Sequence, residues 1–82
     1  MLRPLRMKLR EVVAKNLRKL RQAKGLSQEE LADRAGINRN YVGMLEREEN
    51  AATVDMLEKL AEVLEVDPIE LLTEPRRSPR RR

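Results

Sequence analysis

The sequence predicts an all-α domain of five short helices, in which the second and third form a helix-turn-helix. Apolar residues recur at three- and four-residue spacing in successive segments, which is the pattern of amphipathic helices. Capping residues and glycines mark where those segments begin and end. Hydrophobic residues make up 40% of the 82 residues and include one aromatic, so we expect an aliphatic core. Because such a core is thin, we expect marginal stability or support from dimerisation.

The composition excludes several classes of protein. The chain has no Cys and no His, which excludes a disulfide scaffold and any zinc site built from those ligands. No apolar run approaches the roughly 20 residues of a membrane span, and no signal-peptide core follows the basic N-terminus. An enzyme would need carboxylate, Ser, Lys or Tyr chemistry in a pocket, for which five short helices leave little volume. We therefore expect a cytoplasmic, non-enzymatic protein without a metal, cofactor or small-molecule ligand.

The net charge of +4 conceals a strong asymmetry along the chain. Residues 1–25 carry nine Lys/Arg and one Glu, whereas residues 26–73 carry four Lys/Arg and twelve acidic residues. Residues 74–82 carry five Arg and one Glu. Basic ends on an acidic body fit a nucleic-acid partner that the ends help to hold, and they fit two solvated tails equally well.

The two ends of the chain are predicted to lie outside the folded domain, which we place at residues 8–73. Residues 1–7 show no clear helical period and are expected to form a flexible basic arm. Its arginines, Arg3 and Arg6, are candidates for phosphate or minor-groove contacts, or belong simply to a disordered end. Residues 74–82, with two prolines and five arginines, are expected to be disordered and to add nucleic-acid affinity without sequence preference. The true start is either the first methionine or the one at position 7.

Three of the predicted helices, the first, fourth and fifth, lie outside the helix-turn-helix and contribute apolar faces to the core. The first runs from about Lys8 to Lys24, the fourth begins after Thr53, and the fifth begins after Asp67. Their predicted inward-facing stripes are Leu9, Val12, Val13, Leu17 and Leu20 in the first helix, Val54, Leu57, Leu60, Ala61 and Leu64 in the fourth, and Ile69 and Leu72 in the fifth. The remaining apolar residues near the C-terminal end, Val63, Val66 and Leu71, are either further core or a dimer contact.

The second and third helices are predicted within LSQEELADRAGINRNYVGML, at positions 26–45. Ser27 and Glu30 have the spacing of a capping box at the start of the second helix. Gly36 ends that helix, because glycine takes the left-handed conformation without a Cβ penalty. Asn38 then caps a third helix. A helix, a short turn containing glycine and a second helix form the helix-turn-helix layout.

This segment, continued as SQEELADRAGINRNYVGMLER, resembles the phage-repressor and Cro-type domains, also called the lambda-repressor-like or xenobiotic-response-element family. The positions that carry the resemblance are Leu26, Ser27, Gln28, Glu30, Leu31, Ala32, Ala35, Gly36, Ile37, Val42, Leu45, Glu46, Leu57, Leu60, Ala61, Leu64, Val66, Leu71 and Leu72. The resemblance covers about residues 9–73 and implies a five-helix DNA-binding domain. In size and in its RNYVGMLER segment the chain is similar to restriction-modification controller proteins, while small phage-type repressors and antitoxins remain open.

The resemblance also implies roles for residues outside the third helix. In the family, an arginine at the place of Arg21 pairs with the glutamate that closes the third helix, here Glu46. A glutamine at the place of Gln28 contacts a phosphate and braces the third helix. Many members have Gly or Asn where Glu48 stands, followed by basic residues, so the acidic Glu48 and Glu49 depart from the pattern. Glu is also poor in the left-handed conformation that such a position requires.

The exposed face of the third helix carries the candidate DNA contacts. Residues near the start of a recognition helix reach base edges in the major groove. Arg39 has the geometry to bond guanine O6 and N7, and Asn40 to bond adenine N6 and N7. Gly43 is predicted to face outward, where it either lets the helix approach closely or leaves a base unread. Met44 is predicted to touch a thymine methyl, and the Tyr41 hydroxyl to bond a phosphate.

Two further residues, Asn38 and Arg47, belong to the predicted interface without an assigned base contact. Asn38 lies at the start of the third helix, where capping is the more natural role for its side chain. Arg47 follows the third helix, where it either meets a phosphate or is a solvated charge.

The function predicted from these features is sequence-specific binding of double-stranded DNA by a dimeric transcriptional regulator. Two recognition helices would enter successive major grooves of a palindromic operator, about 34 Å apart. The alternative is a protein-interaction module, such as an antitoxin or adaptor, that uses the acidic surface of the fourth and fifth helices. DNA binding should weaken steeply with salt, which distinguishes the two hypotheses.

Overall fold

The computed structural model describes residues 7–75, and this part of the chain forms five α-helices and no strand. The helices are α1 (Leu9–Ala23), α2 (Gln28–Ala35), α3 (Arg39–Glu46), α4 (Val54–Leu64) and α5 (Pro68–Leu72). The all-α, five-helix prediction is confirmed. The arginines of the predicted N-terminal arm and of the C-terminal tail lie outside the described residues.

Side-chain caps fix the start of the helices on either side of the central turn. The Ser27 hydroxyl accepts the backbone N–H of Glu30 at 3.0 Å, and the Glu30 carboxylate accepts the backbone N–H of Ser27 at 2.8 Å. Gly36 ends α2 with φ +70°, in the left-handed region that favours glycine. The Asn38 side chain accepts the backbone N–H of Asn40 at 2.7 Å. The turn between α2 and α3 is therefore defined by local hydrogen bonds that the sequence predicts.

An aliphatic core lies between the helices and supports α3 from behind. Helix α3 packs against α1 and α2, while α4 packs against α2 and α5, and α5 packs against α1. The largest fully buried side chains are Val12, Leu17, Leu31, Val42, Leu45, Leu60 and Leu71. Because α3 contributes two of them, its inner face is part of the core and its outer face is left to the surface.

Four residues predicted to face the core lie at the surface instead. Leu9 and Val54 are the first residues of α1 and α4 and are 47% and 74% exposed. In α5 the prediction was wrong about which side faces inward, since Ile69 is 64% and Leu72 36% exposed. Leu71 is fully buried in their place.

The orientation of α5 is set by a buried polar residue, Asn16, on α1. Its side-chain amide donates to the backbone carbonyls of Glu70, Leu71 and Thr73, at 3.0, 3.1 and 2.8 Å. These carbonyls belong to the end of α5, where a helix leaves its last carbonyl groups without a partner. Asn16 therefore binds the end of the shortest helix to the longest one and turns Leu71 inward.

We predict that Asn16→Asp lowers the free energy of unfolding by about 3 kcal/mol at neutral pH. The substitution replaces the buried amide donor with a carboxylate that faces three carbonyl oxygens and leaves them unpaired. Urea denaturation at fixed protein concentration measures the change. Gln22→Glu, which adds the same charge at an exposed position of α1, is the control and should cost less than about 0.5 kcal/mol. Equal stability of Asn16→Asp and the native protein would contradict this role.

Candidate nucleic-acid interface

The start of α3 presents polar side chains to solvent while its other face is buried. Arg39 and Asn40 are exposed at the first turn of α3. Val42 and Leu45, on the opposite face, are 0% and 1% exposed. The side-chain oxygen of Asn38 is engaged as the cap of α3. A rigid helix therefore holds two side chains with paired hydrogen-bonding groups outside the core.

Arg39 is paired with an acidic residue of α2 across the turn. Its guanidinium lies 3.7 Å from the Glu29 carboxylate, and both side chains are more than 60% exposed. An ion pair this exposed contributes little free energy, about 0–1 kcal/mol. The pair therefore restrains the Arg39 side chain near α2 without preventing it from binding a stronger partner.

A buried carboxylate at the end of α3, Glu46, links this helix to α1 and α2. The Arg21 guanidinium donates to both carboxylate oxygens, at 2.7 and 3.0 Å, and the Gln28 side-chain amide donates to one of them at 3.0 Å. Arg21 also donates to the backbone carbonyl of Leu26 at 2.7 Å. The Glu46 side chain is fully buried and that of Arg21 is 12% exposed. Arg18, half-exposed on α1, approaches the same carboxylate at 3.6 Å.

The Glu46 carboxylate is held in its ionised form by these partners. Burial alone raises the pKa of Glu46, but hydrogen bonds from Arg21 and Gln28 and the charges of Arg21 and Arg18 outweigh it and lower the pKa. The Glu46 hydrogen bonds, opposed by burial, raise the pKa of Arg21 in return. The pair is therefore fully charged at neutral pH, and the side-chain amide of Gln28 is directed toward α3.

The middle of the α3 surface differs from the prediction, because Gly43 is buried. A Cβ atom at Gly43 would lie 3.0 Å from Nη1 of Arg47 and 3.5 Å from Oε1 of Gln28. These two side chains therefore cover the glycine, and the helix does not present bare backbone to solvent. Arg47 is held there by Glu49, whose two carboxylate oxygens accept from Nε and Nη2 at 3.0 and 3.1 Å.

Helix α3 is followed by a loop that includes a strained residue. Glu48 has φ +63°, in the left-handed region where glutamate is unfavourable. The Tyr41 hydroxyl, predicted to bond a phosphate, donates to the backbone carbonyl of Ala51 at 3.1 Å and so joins α3 to this loop. Met44 is half-buried on the outer face. Tyr41 therefore has a structural contact, although its hydroxyl oxygen keeps acceptor capacity.

The pairing of Glu49 with Arg47 was not predicted from the sequence. The resemblance marked its charge as a departure from the family pattern, but a pairing between residues 47 and 49 across a helix end has no periodic signature. The outward-facing cations of α1 are also close to this loop, because Lys15, Arg18 and Lys19 line a shallow cleft together with Glu46 and Glu48.

A helix with a buried inner face and an exposed polar start, packed against the preceding helix across a glycine turn, defines a helix-turn-helix nucleic-acid-binding domain. A family model described as helix-turn-helix, HTH_3, matches residues 17–71. The chain belongs to this family, which confirms the resemblance found in the sequence. Within residues 7–75 no helix is long and apolar enough to cross a membrane, and no group of three or more acidic side chains is placed to hold a metal ion.

Known proteins similar to this chain include controller proteins and transcription factors. The control protein C.SmaI of Serratia marcescens is 40% identical over 67 residues, which cover 82% of this chain and 80% of that protein. The structure of the hypothetical transcription factor NHTF from Neisseria covers 92% of this chain and 86% of its own, with a TM-score of 0.83 and 40% identity. The restriction-modification controller protein C.Esp1396I, a tetramer in complex with its natural 35 base-pair operator, covers 79% of this chain and 86% of its own, with a TM-score of 0.72 and 31% identity.

We predict that Glu46→Gln lowers the free energy of unfolding by about 2–3 kcal/mol, because it leaves the Arg21 charge nearly buried without its partner. The lowered pKa of Glu46 also fixes the sign of the pH dependence. Its contribution is complete above about pH 4.5, the ordinary pKa of glutamate, and is lost as the pH falls through the lower folded value.

Urea denaturation between pH 7 and pH 3 at constant protein concentration measures both effects. The native protein should lose more stability on acidification than Glu46→Gln. The matched control is Glu58→Gln on the exposed face of α4, which should follow the native curve. If the two variants behave alike, Glu46 does not stabilise the fold in this way.

Proposed function

We propose that this protein is a sequence-specific DNA-binding transcriptional regulator that acts as a dimer in the cytoplasm. The observation that carries the proposal is the exposure of Arg39 and Asn40 on a helix whose opposite face is fixed in the core by Val42, Leu45 and Glu46. Base recognition requires side chains held in a defined position, and the anchored inner face of α3 holds Arg39 and Asn40 in this way.

The chemistry of α3 supports recognition of base edges in the major groove. An α-helix fits this groove, and a guanidinium and a side-chain amide are the groups that bond guanine and adenine in pairs of hydrogen bonds. Arg39 is assigned to guanine and Asn40 to adenine, each contributing about 1–3 kcal/mol of discrimination. Met44 lies one turn beyond Asn40, where its thioether chain fits against a thymine methyl.

Backbone contacts are assigned to residues on either side of the recognition helix. Gln28 is the first residue of α2, where free backbone N–H groups and the helix dipole favour a phosphate. Its side chain is engaged with Glu46, so the backbone N–H at this helix start is the group assigned to DNA. The similar C.Esp1396I binds its operator as a tetramer, which supports the same use of this fold in the present chain.

Dimerisation is assigned to an apolar surface on the side of the domain where the α3–α4 loop ends. Leu9, Val54 and Leu72 line a groove there together with Ala51 and Ala52. The first three are among the large hydrophobic residues that remain exposed. This loop directly follows the recognition helix, so we assign the two-fold axis that brings both copies of α3 to one face of a palindromic operator to this groove.

We predict that Arg39→Ala and Asn40→Ala each relax the preference at one base pair per half-site, by about 1–3 kcal/mol. Selection of bound sequences from random duplexes, with native protein and each variant, provides the measurement. The native protein should select a motif with two-fold symmetry. Arg34→Ala, which removes the same charge from the end of α2, should leave the selected motif unchanged.

The salt dependence of the same binding separates DNA recognition from the protein-interaction alternative. Affinity for the selected duplex should fall steeply as salt rises, because phosphate contacts release counterions. A random pool that yields no enriched motif, or an enrichment that persists when Arg39 and Asn40 are both replaced by Ala, would overturn the proposed function.

We predict that Val54→Glu weakens the dimer without unfolding the subunit. The side chain is 74% exposed in one copy, so the substitution costs little free energy of folding, whereas it introduces a charge into an apolar contact between copies. Sedimentation equilibrium at micromolar concentration should show dimers for the native protein and monomers for Val54→Glu. Lys59→Gln, with the same change in net charge on the same helix, should remain dimeric, and a dimeric Val54→Glu would place the interface elsewhere.

A further inference from the structure

We propose that Glu49 is a positioning residue for DNA binding, which holds Arg47 over Gly43 so that the free edge of its guanidinium meets a backbone phosphate. The inference rests on the proposed DNA-binding function and concerns an acidic residue, which simple charge arguments would count against binding. Three features of the described residues support it. They are the packing of Arg47 against Gly43, the guanidinium edge that stays free of hydrogen bonds, and the nearby start of α2.

The Arg47 guanidinium packs against Gly43, in the middle of α3. Arg47 lies at the end of α3, and its side chain folds back by one turn of the helix. A Cβ atom at Gly43 would lie 3.0 Å from Nη1 of Arg47, which is closer than ordinary van der Waals contact. Glycine therefore lets the guanidinium lie directly against the helix, and a larger residue would displace it.

The edge that remains free follows from the hydrogen bonds that Arg47 makes. A guanidinium has five N–H groups. Glu49 accepts one from Nε and one from Nη2, at 3.0 and 3.1 Å. Both N–H groups of Nη1 and the second of Nη2 remain, and one from each of these two nitrogens forms the outer edge. This edge has the geometry that binds two oxygens of a phosphate at once. Hydrogen bonding from Arg47 lowers the pKa of Glu49, so the carboxylate is ionised at neutral pH.

The neighbouring helix start favours a phosphate over a base as the partner of this edge. Oε1 of Gln28 lies 3.5 Å from the Cβ position of Gly43, so the guanidinium and the first residue of α2 face the same space. A helix start offers free N–H groups to an anion. The base-reading candidates, Arg39 and Asn40, are at the other end of α3, about two turns before Arg47.

The benefit of the Glu49 contact is preorganisation. A long arginine side chain loses conformational entropy when it binds, and an arginine that is already fixed loses less at that moment. Glu49 also places a negative charge near DNA, which opposes binding. The two effects have opposite signs, so the effect of removing the Glu49 charge decides between a positioning role and simple repulsion.

The experiment measures binding of the full chain to its selected duplex over a series of salt concentrations. Arg47→Ala should weaken binding about fivefold at ~0.15 M salt and reduce the salt slope by about one, because affinity scales with salt to the power of about −0.9 per phosphate contact. Glu49→Gln should weaken binding about threefold, because an Arg47 side chain that is no longer held by Glu49 loses part of its phosphate contact. Glu48→Gln, which removes the same charge one residue earlier where the described residues show no ion pair, should leave binding unchanged or tighter.

Two further variants separate positioning from general damage. Glu49→Gln in the Arg47→Ala background should cause no further weakening, because the two residues then act through one contact. Gly43→Ala should weaken binding as Arg47→Ala does while thermal stability is kept or raised, since Ala favours the helix and displaces only the flexible end of Arg47.

Each outcome decides the proposal. Tighter binding by Glu49→Gln, or additivity with Arg47→Ala, would overturn the positioning role. A change of preference at one base pair in Arg47→Ala would overturn the phosphate assignment in favour of a guanine edge. If the native protein binds no duplex in a salt-dependent way, the proposed function itself fails. If it binds duplex in a salt-dependent way and the substitutions of Arg47, Glu49 and Gly43 leave affinity unchanged, this inference alone fails.

Discussion

The structure depends on the buried contact between Glu46 and Arg21. A carboxylate with a fully buried side chain is costly unless charged and polar partners satisfy it, and here α1 and α2 both contribute such partners. Because Glu46 is the last residue of α3, its hydrogen bonds fix the end of the recognition helix, while Val42 and Leu45 fix its inner face. The exposed start of α3 is held in one orientation because the rest of the helix is anchored.

Acidic residues have an organising role on the surface assigned to DNA. Arg39 pairs with Glu29 of α2, and Arg47 pairs with Glu49 of the following loop. Both acids are exposed, so their pairs add little stability, but they restrain two long side chains near the positions where DNA would be bound. The acidic character of residues 26–73 is therefore compatible with nucleic-acid binding, since these carboxylates form ion pairs with cations that face the same surface.

The sequence predicted most of the fold because its boundaries depend on local chemistry. Ser27, Gly36 and Asn38 define the helix-turn-helix through caps and a left-handed turn, which are visible in the sequence. The orientation of α5 was not predictable in this way, because five residues are too few for a helical period to show one face. That orientation follows from Asn16, a polar residue 54 to 57 positions away in the sequence.

The candidate site was predicted only in part, because several of its contacts join residues that no local pattern connects. The exposure of Arg39 and Asn40 follows from the helical period of α3. The burial of Gly43 depends on how Arg47 folds back over it, and the contact from the Tyr41 hydroxyl to Ala51 depends on the path of a loop. Such contacts between neighbouring elements require coordinates, because no spacing rule connects a glycine in a helix with the side chain that covers it.

We assign DNA binding to the surface formed by α3 and the start of α2. Mapping backbone amide resonances by NMR during titration with the selected duplex tests it most directly. The largest changes should occur at residues 27–29 and 38–47, and residues on the outer faces of α4 and α5 should change little. Changes concentrated on α4 and α5, with Arg39 and Asn40 unaffected, would contradict it.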